Sequence, residues 1–402
     1  MDQNKFIKEH IIHRKESLLK TDLETNKAQL QQEITGSNIL VIGGAGSIGS
    51  AFIKALLPYR PARLVVADIN ENGLTELVRD LRSTPGQFIP ETFLTYPVNF
   101  GDPVFAKLFR RLGPFDAVAN FAAHKHVRSE KDAFSIEAMF DNNVFRAKGL
   151  LDLLTENPPR HFFCVSTDKA ANPVNLMGAS KKLMEEVILS YARELPVSTA
   201  RFANVAFSNG SLLAGFQERI ARNQPLSVPR GISRYFVSPA ESGELCLLAC
   251  MLGRPGEIFF PKLDPAANLV DFETIARRYI AALGLEVIDC RTEEEARLLA
   301  ADPAARPGKY PVYFFDSDTS GEKPYEEFHT PEESPDLSRL HALGVIPPKP
   351  PKSREAIQTL FTSLKSLFAE EDIDKARIID AVSAFIPEFA HLETGKNLDS
   401  RM

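Results

Sequence analysis

The residues best suited to proton chemistry lie in one short stretch, Ser166 to Lys182, which reads STDKAANPVNLMGASKK. Asp168 and Lys169 are adjacent and follow an apolar segment that predicts a buried strand. Burial raises the pKa of a carboxyl group and lowers that of an amine, so the pair could supply a proton donor and a neutral base. Their mutual attraction opposes both shifts, which predicts a shared proton. The alternative is a solvated turn with an incidental ion pair.

A second feature of this stretch is the spacing of Met177 and Lys181, which lie one helical turn apart. Nicotinamide-dependent enzymes carry Tyr-x-x-x-Lys at such a position, and methionine here replaces the tyrosine. A thioether has no proton to transfer. Either the chain has lost an oxidoreductase activity, or a different residue performs the proton chemistry.

A glycine-rich loop precedes this stretch in the chain. Residues 38–56, NILVIGGAGSIGSAFIKAL, join a predicted strand to a predicted helix. Closely spaced glycines let the backbone turn tightly and approach a pyrophosphate, and the helix N-terminus offers free N–H groups to the phosphates. The next predicted strand ends at Asp68, where a carboxylate would bind the adenosine ribose hydroxyls. No arginine follows in DINEN, so NAD is favoured over NADP. The alternative for Asp68 is a helix-capping role.

The elements that must position these residues follow a regular alternation. Short apolar segments alternate with segments long enough for a helix, which predicts βαβ units and a parallel sheet. The predicted strands are residues 38–42, 63–68, 92–98, 116–123, 161–166 and 197–203. The predicted fold class is α/β, a Rossmann-type doubly wound parallel sheet with a smaller C-terminal substrate-binding α/β domain and flanking helices.

The chain is expected to have four parts and a proline-rich linker. These are an N-terminal helical lead-in (1–36), an NAD-binding Rossmann domain (37–205), a substrate-binding region (206–344), the linker (345–352) and C-terminal helices (353–402). The C-terminal helices could pack on the body or on another subunit, and their apolar faces predict a homo-oligomer.

Composition and charge narrow the class of protein. The 402 residues are 44% hydrophobic and 25% charged, as in ordinary soluble domains. The net charge of −6 gives no electrostatic reason to expect nucleic acid or an anionic membrane as partner. The N-terminus lacks a signal-peptide core and no apolar run is long enough to span a membrane, which predicts a cytoplasmic protein. Cys246 and Cys250 are expected in the core, and neither they nor the histidines of AAHKHV predict a metal site.

Taken together, these motifs resemble the extended short-chain dehydrogenase/reductase superfamily. More narrowly, the chain is similar to the UDP-N-acetylglucosamine 4,6-dehydratases of bacterial polysaccharide and glycan synthesis, in the subfamily that has methionine in place of tyrosine. The resemblance runs from roughly residue 20 to residue 330 and is carried by GGAGSIGS, NFAAHKHV, DNNV, VSTDKAANPVNLMGASK, RFANVAFSNGS, SRYFVSPAE and SGEKPYEE. The lead-in also resembles that of longer, membrane-anchored members, so the chain looks like a free-standing catalytic half.

Two positions depart from the family pattern. Ile42 replaces a usual threonine, and Asn99 replaces an aspartate that commonly faces the adenine amino group. An asparagine carbonyl can accept the same hydrogen bond. The resemblance implies that Met177 is a feature of the subfamily rather than a defect.

The resemblance implies a reaction in three parts. NAD takes a hydride from C4 of the sugar, the C5 proton and the C6 hydroxyl leave as water, and the hydride returns to C6. Lys169 would be the C5 base, Asp168 the acid for the C6 hydroxyl, and Lys181 would bind the nicotinamide ribose. Met177 would pack against the sugar or the nicotinamide ring. The C4 hydroxyl proton would pass to Asp168 or to a water held near Thr167 and Lys181.

The resemblance also implies two sets of binding residues. Those expected to bind NAD are Gly43, Gly46, Ser47, Ile48, Gly49, Asp68, Asn70, Asn99, Phe100, Phe121, Ala122, Ala123, Ser166 and Lys181. Those expected to bind the UDP-sugar are Lys125, Asn204, Ser211, Arg234 and Lys262, and Glu322 and Lys323 are expected to close the far end of the pocket.

Two other functions stay open. A nucleotide-sugar 4-epimerase would use the same fold and cofactor, but it needs no C5 base, so the Thr-Asp-Lys run disfavours it. A catalytically silent NAD-binding scaffold would account for the missing tyrosine, but the intact Asp168, Lys169 and Lys181 disfavour that function. Retention or inversion at C5, and the glycan that uses the product, are left open.

Overall fold

The computed structural model describes residues 1–126, 130–316 and 323–392. The strands are β1 Asn38–Ile42, β2 Arg63–Asp68, β3 Thr92–Pro97, β4 Ala117–Asn120, β5 His161–Val165, β6 Val197–Ala200, β7 Asn204–Val205, β8 Leu226–Arg230, β9 Ser233–Val237, β10 Glu257–Pro261, β11 Leu269–Asp271, β12 Glu286–Cys290, β13 Lys309–Asp316 and β14 Leu343–Ile346. The α-helices are α1 Gln3–Phe6, α2 Lys20–Thr25, α3 Lys27–Ile34, α4 Ser47–Leu56, α5 Glu71–Ser83, α6 Pro103–Leu112, α7 Ala133–Phe140, α8 Arg146–Leu154, α9 Leu176–Leu189, α10 Leu212–Ala221, α11 Pro239–Leu252, α12 Pro265–Asn268, α13 Phe272–Ala282, α14 Glu293–Ala301, α15 Arg354–Phe368 and α16 Lys375–Phe385. Ile7–Ile11 and Asp141–Phe145 are π-helical, and Leu57–Tyr59, Asp168–Ala170, Pro303–Ala305 and Pro331–Glu333 are 3₁₀ turns.

Across these ranges the largest sheet has eight strands in the order β14-β10-β6-β5-β4-β1-β2-β3. Neighbouring strands are parallel, except that β10 and β14 pair antiparallel. All six strands predicted from the sequence belong to this sheet, which confirms the Rossmann-type doubly wound α/β fold. β1 lies between β2 and β4, so successive strands are added on opposite sides of it. Open α/β sheets bind ligands beyond the carboxyl ends of the strands at such a switch point.

The central strands of the large sheet are mostly buried because helices cover both of its faces. In β1, Leu40 and Ile42 pack in one core cluster, and Ile39 and Val41 pack in the other. The first cluster also contains the apolar residues of α15 and α16. The C-terminal helices therefore pack on the chain's own body, which was one of the two predicted alternatives. The homo-oligomer stays a prediction.

The large sheet draws strands from both sides of the predicted boundary at residue 205. β10 and β14 come from the region beyond it, and residues 345–346 of the predicted linker belong to β14. Two three-stranded sheets, β11-β9-β7 and β12-β13-β8, form much of the rest of the C-terminal region. In the lead-in, Phe6 packs with that region and Leu30 packs beside the large sheet. The division into separate domains stays a prediction.

Among the residues that the structure describes, no helix is both long enough and apolar enough to cross a membrane. The same residues contain no group of three His, Cys, Asp or Glu side chains placed to hold a metal ion. Cys246 and Cys250 are buried in α11, which confirms that they are core residues.

Candidate active site

The glycine loop between β1 and α4 lies at the switch point and touches the loop that follows β4. Gly43 has a φ of +74°, and a Cβ built on it would lie 2.6 Å from the backbone N of Ala122. A Cβ on Gly49 would lie 2.3 Å from the carbonyl oxygen of Gly43. Close backbone packing therefore requires both glycines. α4 begins immediately after Gly46, and the N–H groups of a helix's first turn can bind a phosphate.

Replacing Gly43 with alanine is expected to destabilise the protein more than the same change at Gly86. Both glycines have a φ of +74°, but a Cβ on Gly86 would have no atom within 4 Å. Both variants therefore carry the left-handed backbone strain, which costs about 1–2 kcal/mol. Gly43→Ala must also displace the loop after β4, an overpacking cost of about 1–3 kcal/mol more. Urea unfolding measures both free energies, and equal values for the two variants would rule out the clash.

Asp68 at the end of β2 holds the glycine loop in place. One carboxylate oxygen accepts a hydrogen bond from the Ala45 N–H and the other from the Asn70 N–H, each at 2.9 Å. Asn70 is the residue that caps α5, so the capping role considered for Asp68 belongs to Asn70. A carboxylate has lone pairs beyond these two bonds, so Asp68 can still accept hydroxyl groups.

The remaining predicted cofactor residues lie after β3, β4 and β5. The Asn99 side-chain oxygen accepts a hydrogen bond from the Gly101 N–H at 2.9 Å, and Phe100 is buried. Residues 121–123 directly follow β4. Ser166 follows β5, and its hydroxyl donates to the buried carboxylate of Glu185 at 2.6 Å. The carboxyl ends of neighbouring strands thus bring these residues to one edge of the sheet.

Asp168 and Lys169 form a buried ion pair just beyond β5. Lys169 Nζ lies 3.1 Å from Asp168 Oδ1, and the same oxygen accepts hydrogen bonds from Thr167 Oγ1 at 2.8 Å and from the Lys169 N–H at 2.9 Å. The Asp168 side chain is 5% exposed and that of Lys169 is 17% exposed. The pair is therefore not a solvated turn.

A second carboxylate lies beside this pair. Glu326 Oε1 is 3.6 Å from Lys169 Nζ, and the Glu326 side chain is 3% exposed. Burial alone would lower the pKa of Lys169, but the carboxylates of Asp168 and Glu326 outweigh it and raise that pKa. Of the two opposing effects expected from the sequence, the attraction prevails. Lys169 is therefore protonated in the resting site.

Helix α9 begins against this turn and supplies Met177 and Lys181. A Cβ on Gly178 would lie 2.6 Å from the Lys169 carbonyl oxygen, so the helix packs directly on the turn. Lys181 Nζ donates to the Val165 carbonyl at 2.7 Å, which holds the ammonium at the end of β5. Burial lowers the pKa of Lys181. Met177 is 2% exposed and belongs to a main core cluster.

The residues predicted to bind the UDP-sugar have different surroundings. Lys125 is exposed in the segment after β4, and Asn204 lies in β7. Ser211 caps α10 by accepting the Ala214 N–H bond at 3.2 Å. The loop before it is tied to the glycine loop, because the Asn209 N–H donates to Ser47 Oγ at 2.9 Å. Ser211 therefore lies on a segment that contacts the predicted cofactor site.

Arg234 and Lys262 both contact backbone carbonyl groups. Arg234 Nη1 donates to the carbonyl of Lys323 at 2.9 Å, which joins β9 to the segment that carries Glu326. Lys262 Nζ donates to the carbonyl of Leu337 at 2.9 Å and to that of Leu340 at 2.8 Å. Both side chains thus fix local backbone, and substrate contact for them stays a prediction.

The predicted far end of the pocket is described only in part. Lys323 Nζ donates to the Asn172 carbonyl at 2.5 Å, so its segment packs on the loop that follows Lys169. Glu322 lies outside the described residues.

The sequence comparisons identify the family. Residues 39–308 match the model of a family described as polysaccharide biosynthesis protein. The chain belongs to this polysaccharide biosynthesis protein family. An uncharacterized membrane protein of Methanocaldococcus jannaschii is 33% identical over 318 residues, which cover 77% of this chain and 85% of that protein. The predicted resemblance to proteins of polysaccharide synthesis is thereby confirmed.

Two further relatives carry enzyme names. A UDP-N-acetylglucosamine 4,6-dehydratase (inverting) of Campylobacter jejuni is 28% identical over 270 residues, 65% of this chain and 76% of that protein. A UDP-glucose 4-epimerase of Rickettsia typhi is 29% identical over 238 residues, 58% of this chain and 67% of that protein. The relatives thus include both a dehydratase and an epimerase.

A solved structure supports the fold of this family member. The dTDP-glucose 4,6-dehydratase DesIV of Streptomyces venezuelae, with NAD and TYD bound, aligns with a TM-score of 0.55 and 19% identity over 84% of this chain and 100% of that chain. At this identity the similarity shows the fold alone.

Sequence reasoning missed a buried charge network. Arg201, directly after β6, is fully buried between two glutamates. It donates to Glu185 at 3.0 and 2.8 Å and to Glu333 at 2.7 and 2.9 Å. Arg201 also donates to the Phe328 carbonyl at 3.0 Å. The network therefore anchors the segment that follows Glu326 to the body of the sheet.

Proposed function

We propose that the protein is an NAD-dependent nucleotide-sugar 4,6-dehydratase that acts on UDP-N-acetylglucosamine. The observation that carries the proposal is the buried contact of 3.1 Å between Asp168 and Lys169 beyond β5. An elimination across C5 and C6 needs a base and an acid in the same site. A 4-epimerase leaves the C5 proton in place and would need no such pair. The dehydratase of Campylobacter jejuni, 28% identical, supports the choice of substrate.

The residues at the switch point fit NAD. Gly43 and Gly49 let the loop pack against the segment after β4 and against itself, and α4 begins within this loop, so its free N–H groups can bind a pyrophosphate. Asp68 retains acceptor capacity for the ribose hydroxyls, and Lys181 places a cation at the end of β5. Bound NAD would accept the hydride from C4 and return it to C6.

One proton transfer prepares the site for elimination. Moving a proton from the Lys169 ammonium to the Asp168 carboxylate, across their contact of 3.1 Å, creates the neutral base and the carboxylic acid together. The Lys169 amine then takes the C5 proton, and the Asp168 carboxyl group gives its proton to the departing C6 hydroxyl, which leaves as water. Elimination thus leaves the pair as ammonium and carboxylate. Hydride return to C6 also requires a proton at C5, which the Lys169 ammonium gives back, and the proton lost by the C4 hydroxyl then restores that ammonium.

The proton of the C4 hydroxyl needs an acceptor in place of the missing tyrosine. Because Asp168 receives the Lys169 proton, a water held near Thr167 and Lys181 would take it. Thr167 Oγ1 already donates to Asp168 at 2.8 Å, so its hydroxyl orients the carboxylate. Met177 contributes packing.

Replacing Met177 with leucine is expected to preserve hydride transfer to within about tenfold. Met177 is 2% exposed, and a Met-to-Leu change conserves volume, so it should cost less than about 1.5 kcal/mol of stability. Stopped-flow absorbance of the reduced cofactor measures hydride transfer. If it disappears while folding, cofactor content and substrate binding are unchanged, Met177 has more than a packing role.

The proposed function is tested by incubating the purified protein with NAD and UDP-N-acetylglucosamine. Mass spectrometry should show the loss of one water, and NMR should show a new C6 methyl signal. The C5 coupling then distinguishes retention from inversion. An unchanged mass with a second sugar epimer would support the epimerase. No change in any UDP-sugar, with cofactor bound, would support the silent scaffold.

A further inference from the structure

We infer that Glu326 is a positioning residue for the Asp168–Lys169 pair, a second anionic partner that keeps the proton on Lys169 in the resting site. The inference rests on the proposed function for its role in catalysis, because it concerns the base of the elimination. Glu326 lies in SGEKPYEE, a motif to which the sequence analysis gave no role for this residue.

The geometry makes Glu326 a partner of Lys169 rather than a surface carboxylate. Its side chain is 3% exposed, and Oε1 lies 3.6 Å from Lys169 Nζ, on the segment that Arg234 ties to β9. Lys323 Nζ is more distant, at 3.9 Å from Glu326 Oε2. The neighbouring Glu327 is exposed and accepts a hydrogen bond from Asn172 at 2.7 Å.

Among the described residues, the charges that act most strongly on Glu326 are on three elements. The turn after β5 contributes Asp168 and Lys169, β9 contributes Arg234, and the Glu326 segment contributes Lys323. Burial and the Asp168 charge raise the pKa of Glu326, while the three cations lower it, and the raised direction prevails. The Glu326 carboxylate in turn raises the pKa of Lys169.

This arrangement has a consequence for the order of proton transfers. A single carboxylate beside Lys169 would leave the amine free to lose its proton to solvent, and Asp168 would then have no proton to give to the C6 hydroxyl. With Glu326 also present, the ammonium is retained until its proton moves to Asp168. Base and acid therefore arise in the same step.

The test compares Glu326→Gln with Glu327→Gln in the full-length protein. Trace acetylation with isotopically labelled acetic anhydride reacts only with neutral amines, and peptide mass spectrometry reports the rate at Lys169 against an exposed lysine such as Lys54. Removing a charge at this distance lowers the pKa of Lys169 by about one unit. Labelling of Lys169 at pH 8 should therefore be about tenfold faster in Glu326→Gln and unchanged in Glu327→Gln. If Lys169 is acetylated in Glu326→Gln at the same rate as in the wild type, the inference is wrong.

A loosened site would also speed labelling, so amide hydrogen exchange of residues 165–176 is measured in both variants. Faster acetylation of Lys169 with unchanged amide exchange supports the inference. If both acetylation and amide exchange are faster, Glu326 only holds the local structure together and the inference is wrong. If the wild type is active, the alkaline limb of its pH–rate profile should move to lower pH by about one unit in Glu326→Gln, because Lys169 then loses its proton to solvent at lower pH. An inactive wild type would refute the proposed function, and the labelling would still decide the role of Glu326.

Discussion

Replacing Asp168 with asparagine is expected to lower kcat for water loss by about 10²- to 10⁴-fold while the cofactor stays bound, because general acid catalysis contributes about that much. The change keeps the shape of the side chain and the bond from Thr167, but the amide cannot receive and return the Lys169 proton. Lys169→Met removes the base from the same pair and should cost a similar factor. The two losses should not add, since either change stops the shared proton transfer.

The measurement is the rate of water loss from UDP-N-acetylglucosamine, with NAD content determined on the same samples. Asp374→Asn is the matched control, because Asp374 is an exposed cap of α16 and asparagine caps a helix equally well. Turnover of Asp168→Asn within tenfold of the wild type would remove Asp168 from the acid role. If that variant incorporates solvent deuterium at C5 without losing water, Lys169 still removes the C5 proton and only the acid step is lost.

The sequence predicted the parts of this molecule that follow from local pattern. A strand buried on both faces is a short, continuous apolar run, so all six predicted strands were found with small differences at their ends. The glycine loop and the Asp168–Lys169 pair were also predictable, because both lie within a few residues of a strand end. Each of these features depends on neighbours close in the chain.

The parts that were missed depend on neighbours far along the chain. Glu326 meets Lys169, and Glu333 meets Arg201 across a separation of 132 residues, and no periodicity encodes either contact. Arginine is rarely fully buried, so a sequence pattern favours an exposed position for Arg201. The direction of the Lys169 pKa shift could not be predicted from the sequence either, because it depends on Glu326 as well as on Asp168.

Replacing Arg201 with methionine is expected to destabilise the protein by about 3–5 kcal/mol at pH 7, because it leaves Glu185 and Glu333 as buried carboxylates without their main partner. Lys182 Nζ lies 4.0 and 3.9 Å from them and compensates only in part. The control is Arg160→Met, since Arg160 is 51% exposed in its ion pair with Glu33 and such pairs contribute about 1 kcal/mol or less. Urea unfolding compares both variants with the wild type, and equal losses would contradict the network's importance.

The pH dependence of this loss gives a second, sharper test. Burial alone would raise the pKa of Glu333, but the Arg201 guanidinium outweighs it and holds that pKa at about 2. Because the folded pKa lies below that of an unfolded glutamate, about 4.3, the wild type loses this stability as the pH falls from about 4.3 towards 2. Without Arg201, burial raises the pKa of both carboxyl groups, so the folded variant takes up protons at higher pH than its unfolded chain and is stabilised as the pH falls. The difference in unfolding free energy between wild type and Arg201→Met should therefore shrink between pH 7 and pH 4, and a constant or growing difference would show that the lost stability comes from packing rather than from charge.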